Sequence, residues 1–225
     1  MIEDLTLASR ILARHGVLDA WGHVSMRHPD VPQRYLMSRA RAPALITTDD
    51  IMAFDLDSNP VDQAGRRMFL ERFIHGAVYR ARPDVHAVVH SHSETMIPFG
   101  VTGVPMRAIA HIASFLVEPA PVWEIRDAGI TQGLLVTNNV QGGSLAHTLG
   151  AGPVALMRGH GNVVVAPDIR RAVHRAIYTE VNARQLVTAL SFGRPITYIA
   201  PDEVLDPKRL DDAWEVWTTE VAIAG

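Results

Sequence analysis

A chain of 225 residues, 48% apolar and 20% charged, is long enough to bury a core of its own. Its 24 acidic and 21 basic residues are dispersed and leave a formal charge of −3, so there is no basic stripe to track a phosphate backbone, and nucleic acid is not an expected partner. The absence of cysteine excludes a disulfide framework, a thiol nucleophile and an iron–sulfur site, so any metal must be held by histidine and carboxylate.

The start, Met1-Ile2-Glu3-Asp4, is acidic where a signal peptide would be basic. No apolar run approaches the roughly 18 residues of a membrane span, which together predicts a cytoplasmic protein with no membrane partner. Without repeats, low-complexity tracts or a long linker, residues 1–225 are expected to form one domain. Leu5, Ala8, Ile11 and Leu12 recur at helical spacing and predict a helix over residues 3–16, with Gly16 as its stop. Residues 22–28 alternate as a strand and end at the turn Pro29-Asp30, with Tyr35-Leu36-Met37-Ser38 as the hairpin partner. A helix follows from about Leu70 to Arg80 and stops before Pro83, and residues 85–92 read as a strand. Leu134-Leu135-Val136, Val154-Ala155-Leu156-Met157 and Val163-Val164-Val165 read as short buried strands. Asp168 caps a long helix to about Leu190, with Ala172, Val173, Ala176, Ile177 and Val181 as its apolar stripe. Strands clustered centrally between helices imply an α/β or α+β fold, a mixed or antiparallel central sheet covered by helices.

Histidine is unusually frequent, with 11 residues against 6 Phe and 4 Tyr. In His90-Ser91-His92 the two-residue period of a strand points both rings to one face, where two nitrogens can reach one ion at about 2.0–2.2 Å. His160 lies between Gly159 and Gly161 at the end of an apolar strand, where glycine permits close approach of a ligand or another backbone. Three histidines with one open position suit a catalytic ion. Glu71 opens the helix before the His90 strand, within plausible reach of the same ion. His75 falls one helical turn later, and His86 shares the strand parity of His90; the remaining histidines, His28, His147 and His174 among them, read as surface residues.

Residues 82–92, with Glu71 upstream and Leu156-Met157-Arg158-Gly159-His160-Gly161 downstream, resemble the class II aldolase/adducin family over Leu5 to about Leu190. The resemblance implies an α/β fold around a largely antiparallel sheet, usually in a homotetramer with active sites at subunit boundaries. It implies a divalent ion on His90, His92 and His160, with Glu71 either ligating it or exchanging protons with the substrate. Two departures from the family's sugar-phosphate aldolases narrow the reading. Their Gly-Asn and Ser-Ser pairs, which serve a substrate phosphate, are here Gly22-His23 and Phe69-Leu70, and their catalytic Tyr is matched by His111.

These positions are similar to the branch that decarboxylates hydroxylated aromatic or pyridine carboxylates. The expected catalytic residues are Glu71 and His111, and the expected ion is Zn2+ or Mn2+, with Co2+ or Fe2+ as alternatives. The substrate is then a small hydroxy-carboxylate, with His23, Ser38, Arg39 and Arg126 as binding residues, since Arg presents a bidentate fork to a carboxylate. Phe69 and Phe99 either flank a flat ring or pack in the core. An aldolase or epimerase for an unphosphorylated hydroxycarbonyl compound is the alternative, and a non-catalytic adducin-type binding domain is disfavoured by the intact ligand set.

Overall fold

A computed structural model describes residues 1–129, 133–204 and 210–223. Helix α1 (Ile2–Arg14) buries Leu5, Ala8, Ile11 and Leu12 along one stripe, and Gly16 takes a φ of +69° just beyond its end. Strands β1 (His23–Arg27) and β2 (Arg34–Ser38) form the expected antiparallel hairpin, with Ser25 opposite Met37. Strand β3 (Ile51–Asp55) extends it beyond β2. Helix α2 (Arg72–Ala81) leads to β4 (Ala87–Ser91), which pairs antiparallel with β1. Then come helix α3 (Ile97–Thr102), strand β5 (Val122–Trp123) and helix α4 (Asn139–Leu149). Strands β6 (Val154–Met157) and β7 (Gly161–Ala166) precede the long helix α5 (Ile169–Ser191) and helix α6 (Leu210–Ile223). As expected, Asp168 caps α5 by accepting from the Arg171 N–H at 2.7 Å.

The seven strands make one sheet in the order β3-β2-β1-β4-β7-β6-β5, antiparallel throughout except for β5 beside β6. Both faces are buried. Val24, Leu36, Ala87, Val89, Leu156 and Val164 pack with α1 and α5 residues such as Leu5, Leu12 and Val173. The alternate set, Tyr35, Met37, Val88, Ala155, Met157 and Val163, packs with Ile74 and Val78 of α2 and Leu145 of α4. Because side chains alternate along a strand, His90 shares a face with Val88, and His23 and Ser25 lie opposite in parity to Val24. The histidines of the central strands therefore face α2, which carries His75.

Several features differ from the sequence expectation, which placed no element at β3, α3, β5, α4 or α6. The segment Leu134-Leu135-Val136 is not a strand: Leu135 is exposed, and the backbone of its neighbours is used by the site described below. Strand β3, Ile-Met-Ala-Phe-Asp, lacks an alternating pattern and gains its conformation from pairing with β2. Helix α4 carries Gly142 and Gly143, which weaken its intrinsic preference. Gly142 is nevertheless required, since a Cβ there would press on the Phe73 carbonyl and the Ala77 side chain of α2.

Candidate active site

Glu71 occupies the position immediately before α2, is buried, and its Oε1 accepts the Val136 N–H at 2.9 Å. That bond leaves Oε2 facing the sheet. Three imidazole Nε2 atoms converge on it, from His160 at 3.3 Å, His90 at 3.4 Å and His92 at 3.8 Å. His90 is the penultimate residue of the buried strand β4, His92 is the first residue past it, and His160 sits in the turn between β6 and β7. Gly161 makes this turn possible: its φ is +158°, and a side chain there would run into the Ser91 carbonyl of the neighbouring strand.

Each outer ring nitrogen has its own partner. His90 Nδ1 lies 3.1 Å from the Asn162 carbonyl, His160 Nδ1 2.8 Å from the Leu134 carbonyl, and His92 Nδ1 3.1 Å from Asp19 Oδ2. An acceptor at Nδ1 holds the proton there and turns the Nε2 lone pair inward, which is how outer partners orient metal-binding imidazoles. Asp19 is itself placed by accepting the Trp21 and Gly22 N–H groups at 2.9 and 2.7 Å.

The donor set fits a metal ion. The four inward atoms lie within 4.8 Å of one another, and a tetrahedral ion with bonds of about 2.1 Å keeps its ligand atoms about 3.4 Å apart. The Nε2 atoms of His90 and His160 are buried without a hydrogen-bond partner, an arrangement that is costly unless a further group completes it. Burial raises the Glu71 pKa, but positive charge among the three facing rings outweighs it and holds the carboxyl well below its usual range, as a cation at that point also would. Burial lowers the His90 pKa, favouring the neutral ring that a ligand requires, while Glu71 raises that of the half-buried His92.

A cleft of about 520 Å³ opens beside Glu71 and His92. Its walls include Trp21, Ala40, Met68, Phe69, Leu70 and Leu135, with His23, Arg41 and Arg67 as further polar groups. Of the anticipated binding residues, His23 lines this cleft. Ser38 is buried at the end of β2 outside the lining, and Arg39 is engaged with Asp50. Arg126 is exposed and pairs with Glu124 at 2.7 Å, also outside the lining, and His111 is exposed in the 3₁₀ turn His111–Leu116, likewise outside it. Phe69 faces the cleft, whereas Phe99 packs in the core with Leu156. His86 is exposed and does not lie beneath the site, and His174, expected at the surface, is buried.

Sequence reasoning missed Asp19, Arg41 and Arg67. Arg41 and Arg67 lie near Ser38-Arg39 and Phe69-Leu70, both of which the sequence singled out, so proximity along the chain was the available signal. Nothing in the sequence separates Arg39, turned to Asp50, from Arg41, whose Nη1 reaches Asp50 Oδ2 at 2.8 Å while the residue also borders the cleft.

Residues 3–187 match the family described as the Class II Aldolase and Adducin N-terminal domain. The chain is 34% identical to decarboxylase tropJ of Talaromyces stipitatus, covering 96% of this chain and 91% of that protein. It is 30% identical to a 3,4-dihydroxyphthalate decarboxylase of Arthrobacter keyseri, covering 98% and 90%. Among solved structures, an aldolase II superfamily protein from Pseudomonas syringae superposes with a TM-score of 0.79 at 19% identity, covering 100% of this chain and 92% of that one. The L-fuculose 1-phosphate aldolase of Glaciozyma antarctica gives 0.76 at 22% identity, covering 99% and 88%, so the fold is shared with aldolases. Together with the Glu71 and three-histidine centre, these matches establish that the chain belongs to the class II aldolase and adducin family, on its decarboxylase-like branch, and is an enzyme of the lyase class.

Proposed function

We propose that this lyase decarboxylates a hydroxylated aromatic or pyridine carboxylate with a divalent ion held by His90, His92 and His160. The observation that carries this reading is the cleft wall: Phe69 and Leu70 stand directly before Glu71, where a sugar phosphate would need hydroxyl donors. Apolar and aromatic walls suit a flat ring, and the two guanidiniums suit carboxylate oxygens. The relatives' names point the same way, since two are decarboxylases and one acts on a dihydroxyphthalate.

When bound, the ion supplies a Lewis acid for the substrate's adjacent hydroxyl and carboxylate oxygens. A centre of three imidazoles suits Zn2+ or Mn2+, and also Co2+ or Fe2+. Arg67, exposed at the cleft and without a side-chain partner among the described residues, binds a substrate carboxylate, with Arg41 beside it, held in place by Asp50. Glu71 Oε2 takes the proton of the substrate hydroxyl. As the bond to the carboxyl carbon breaks, carbon dioxide leaves and the electron pair stays on the ring; Glu71 then returns the proton to that carbon. The Val136 N–H anchors the other carboxylate oxygen, so the proton has one site from which to move. Direct ligation by Glu71 is the competing role.

His111 serves as a second proton donor only if another copy brings it to the cleft, so this role is proposed together with a homotetramer. A light-scattering mass of one chain, with full turnover retained in His111→Ala, would remove both.

The experiment is carbon dioxide release from ortho-hydroxylated aromatic and pyridine carboxylates, with protein stripped of metal and then reloaded with zinc, manganese or cobalt. Metal-dependent release is expected. No release, with retro-aldol cleavage of an unphosphorylated hydroxycarbonyl compound instead, would move the protein to the aldolase alternative.

A further inference from the structure

Beneath the cleft lies a chain of buried polar groups that the chemistry above does not use. His23 Nδ1 lies 2.7 Å from His75 Nε2, His75 Nδ1 lies 2.6 Å from Ser25 Oγ, and Ser25 Oγ lies 2.8 Å from the Tyr79 hydroxyl. All four residues are at most 2% exposed, and they join β1 to α2 across the sheet face that carries His90. Only His23 reaches the cleft, and with Nδ1 occupied it has only Nε2 to offer there.

A chain of this kind has two directions, because each hydroxyl and each neutral imidazole gives one proton and accepts at least one. The 2.7 Å contact between His23 Nδ1 and His75 Nε2 has room for one proton between two ring nitrogens, so one of them must accept. Burial raises the Tyr79 pKa, so the phenol keeps its proton. Tyr79 is 1% exposed, and Ser25 Oγ is the hydrogen-bond partner that its hydroxyl has among the described residues, so its O–H points on to Ser25. Ser25 then donates to His75 Nδ1, and His75 donates from Nε2 to His23 Nδ1. In the opposite direction the buried Tyr79 O–H would have no acceptor among the described residues, at a penalty of about 1–3 kcal/mol for such a group.

We propose that Tyr79, Ser25 and His75 are positioning residues that fix His23 in its Nε2–H tautomer, presenting one neutral N–H donor to an oxygen of the bound hydroxyaryl carboxylate. The substrate half of this inference rests on the function proposed above; the tautomer does not. A neutral donor suits a site that already holds a cation, because it binds oxygen without adding repulsion toward the ion.

The test is nitrogen NMR of the purified protein labelled with 15N-histidine, the His23 signals being identified by their loss in His23→Asn. The expected result is a protonated Nε2 and an unprotonated Nδ1 in the wild type. In Ser25→Ala, which breaks the chain at its middle with little change of volume, His23 should become a tautomer mixture. Salicylate binding, measured by calorimetry with zinc present, should weaken about tenfold in the same variant, the worth of one directed hydrogen bond. A wild-type His23 protonated at Nδ1 would overturn the proposal, as would an unchanged His23 spectrum in Ser25→Ala. Failure of salicylate to bind the wild type would count against the substrate class, while the nitrogen spectrum decides the tautomer by itself.

Discussion

At the scale of single residues, the centre depends on three rings whose outer nitrogens are already committed. His92→Ala removes one of the three imidazoles proposed to hold the ion, and we expect metal content and turnover to fall together, activity by at least about 100-fold; a metal-replete, active variant, read by elemental analysis and rate, would refute that proposal. Glu71→Gln separates the two roles of Glu71, because loss of turnover with metal retained marks a proton carrier and loss of both marks a ligand. His174 makes a prediction about pH. It is buried, and burial lowers its pKa to about 4 from 6.5. The unfolded chain therefore binds more protons than the folded one between about pH 6.5 and 4, and stability declines as pH falls through that window, by up to about 3 kcal/mol from this residue. Urea unfolding of His174→Leu should show a flatter dependence over the same range, and an identical slope would refute the assignment.

At the scale of elements, α2 is the part that carries Glu71 to the sheet, and α4 holds α2 in place. Gly142 lets the two helices approach, so Gly142→Ala should destabilise the fold by about 1–3 kcal/mol and shift Glu71, lowering turnover without touching a ligand. Denaturant midpoints and rates measured on one preparation check both effects. The turn from β2 into β3 depends on Asp50, which is almost fully buried and accepts from Arg39, Arg41 and the Thr47 N–H and hydroxyl. Burial raises its pKa, but these donors outweigh that and hold it below its ordinary value. The stabilisation is therefore present above about pH 4 and lost as the medium becomes more acid. Asp50→Asn should remove that acid limb and loosen Arg41 at the cleft, which a rise in KM would report.

At the scale of the whole molecule, the site is assembled from residues far apart in the chain: the loop before β1, the entry to α2, the end of β4 and the β6–β7 turn. A ligand that binds only when these are gathered stabilises the folded state by mass action. Added zinc should therefore raise the melting temperature of the stripped protein by several degrees, and His160→Ala should abolish that rise. No helix among the described residues is long and apolar enough to cross a membrane.

The pairing of His90 with His92, the glycine-flanked His160, Glu71 before a helix and the main sheet strands were legible in the sequence, because ligand spacing and burial periodicity are local patterns. Only the folded chain could select among arginines of equal chemistry: Arg39 turns to Asp50, Arg126 to Glu124, and Arg67, at the cleft, has no side-chain partner among the described residues. The same holds for Leu134-Leu135-Val136, whose apolar side chains suggest a strand while a carbonyl and an N–H of the segment orient His160 and Glu71. Backbone groups are alike in every residue, so their use in a site leaves no mark on composition or spacing. Distance along the chain likewise gives no hint that Asp19 meets His92, or that Tyr79 lies three links from His23. Those contacts exist because antiparallel pairing of β1 with β4, under the cover of α2, brings the residues to one face of one sheet.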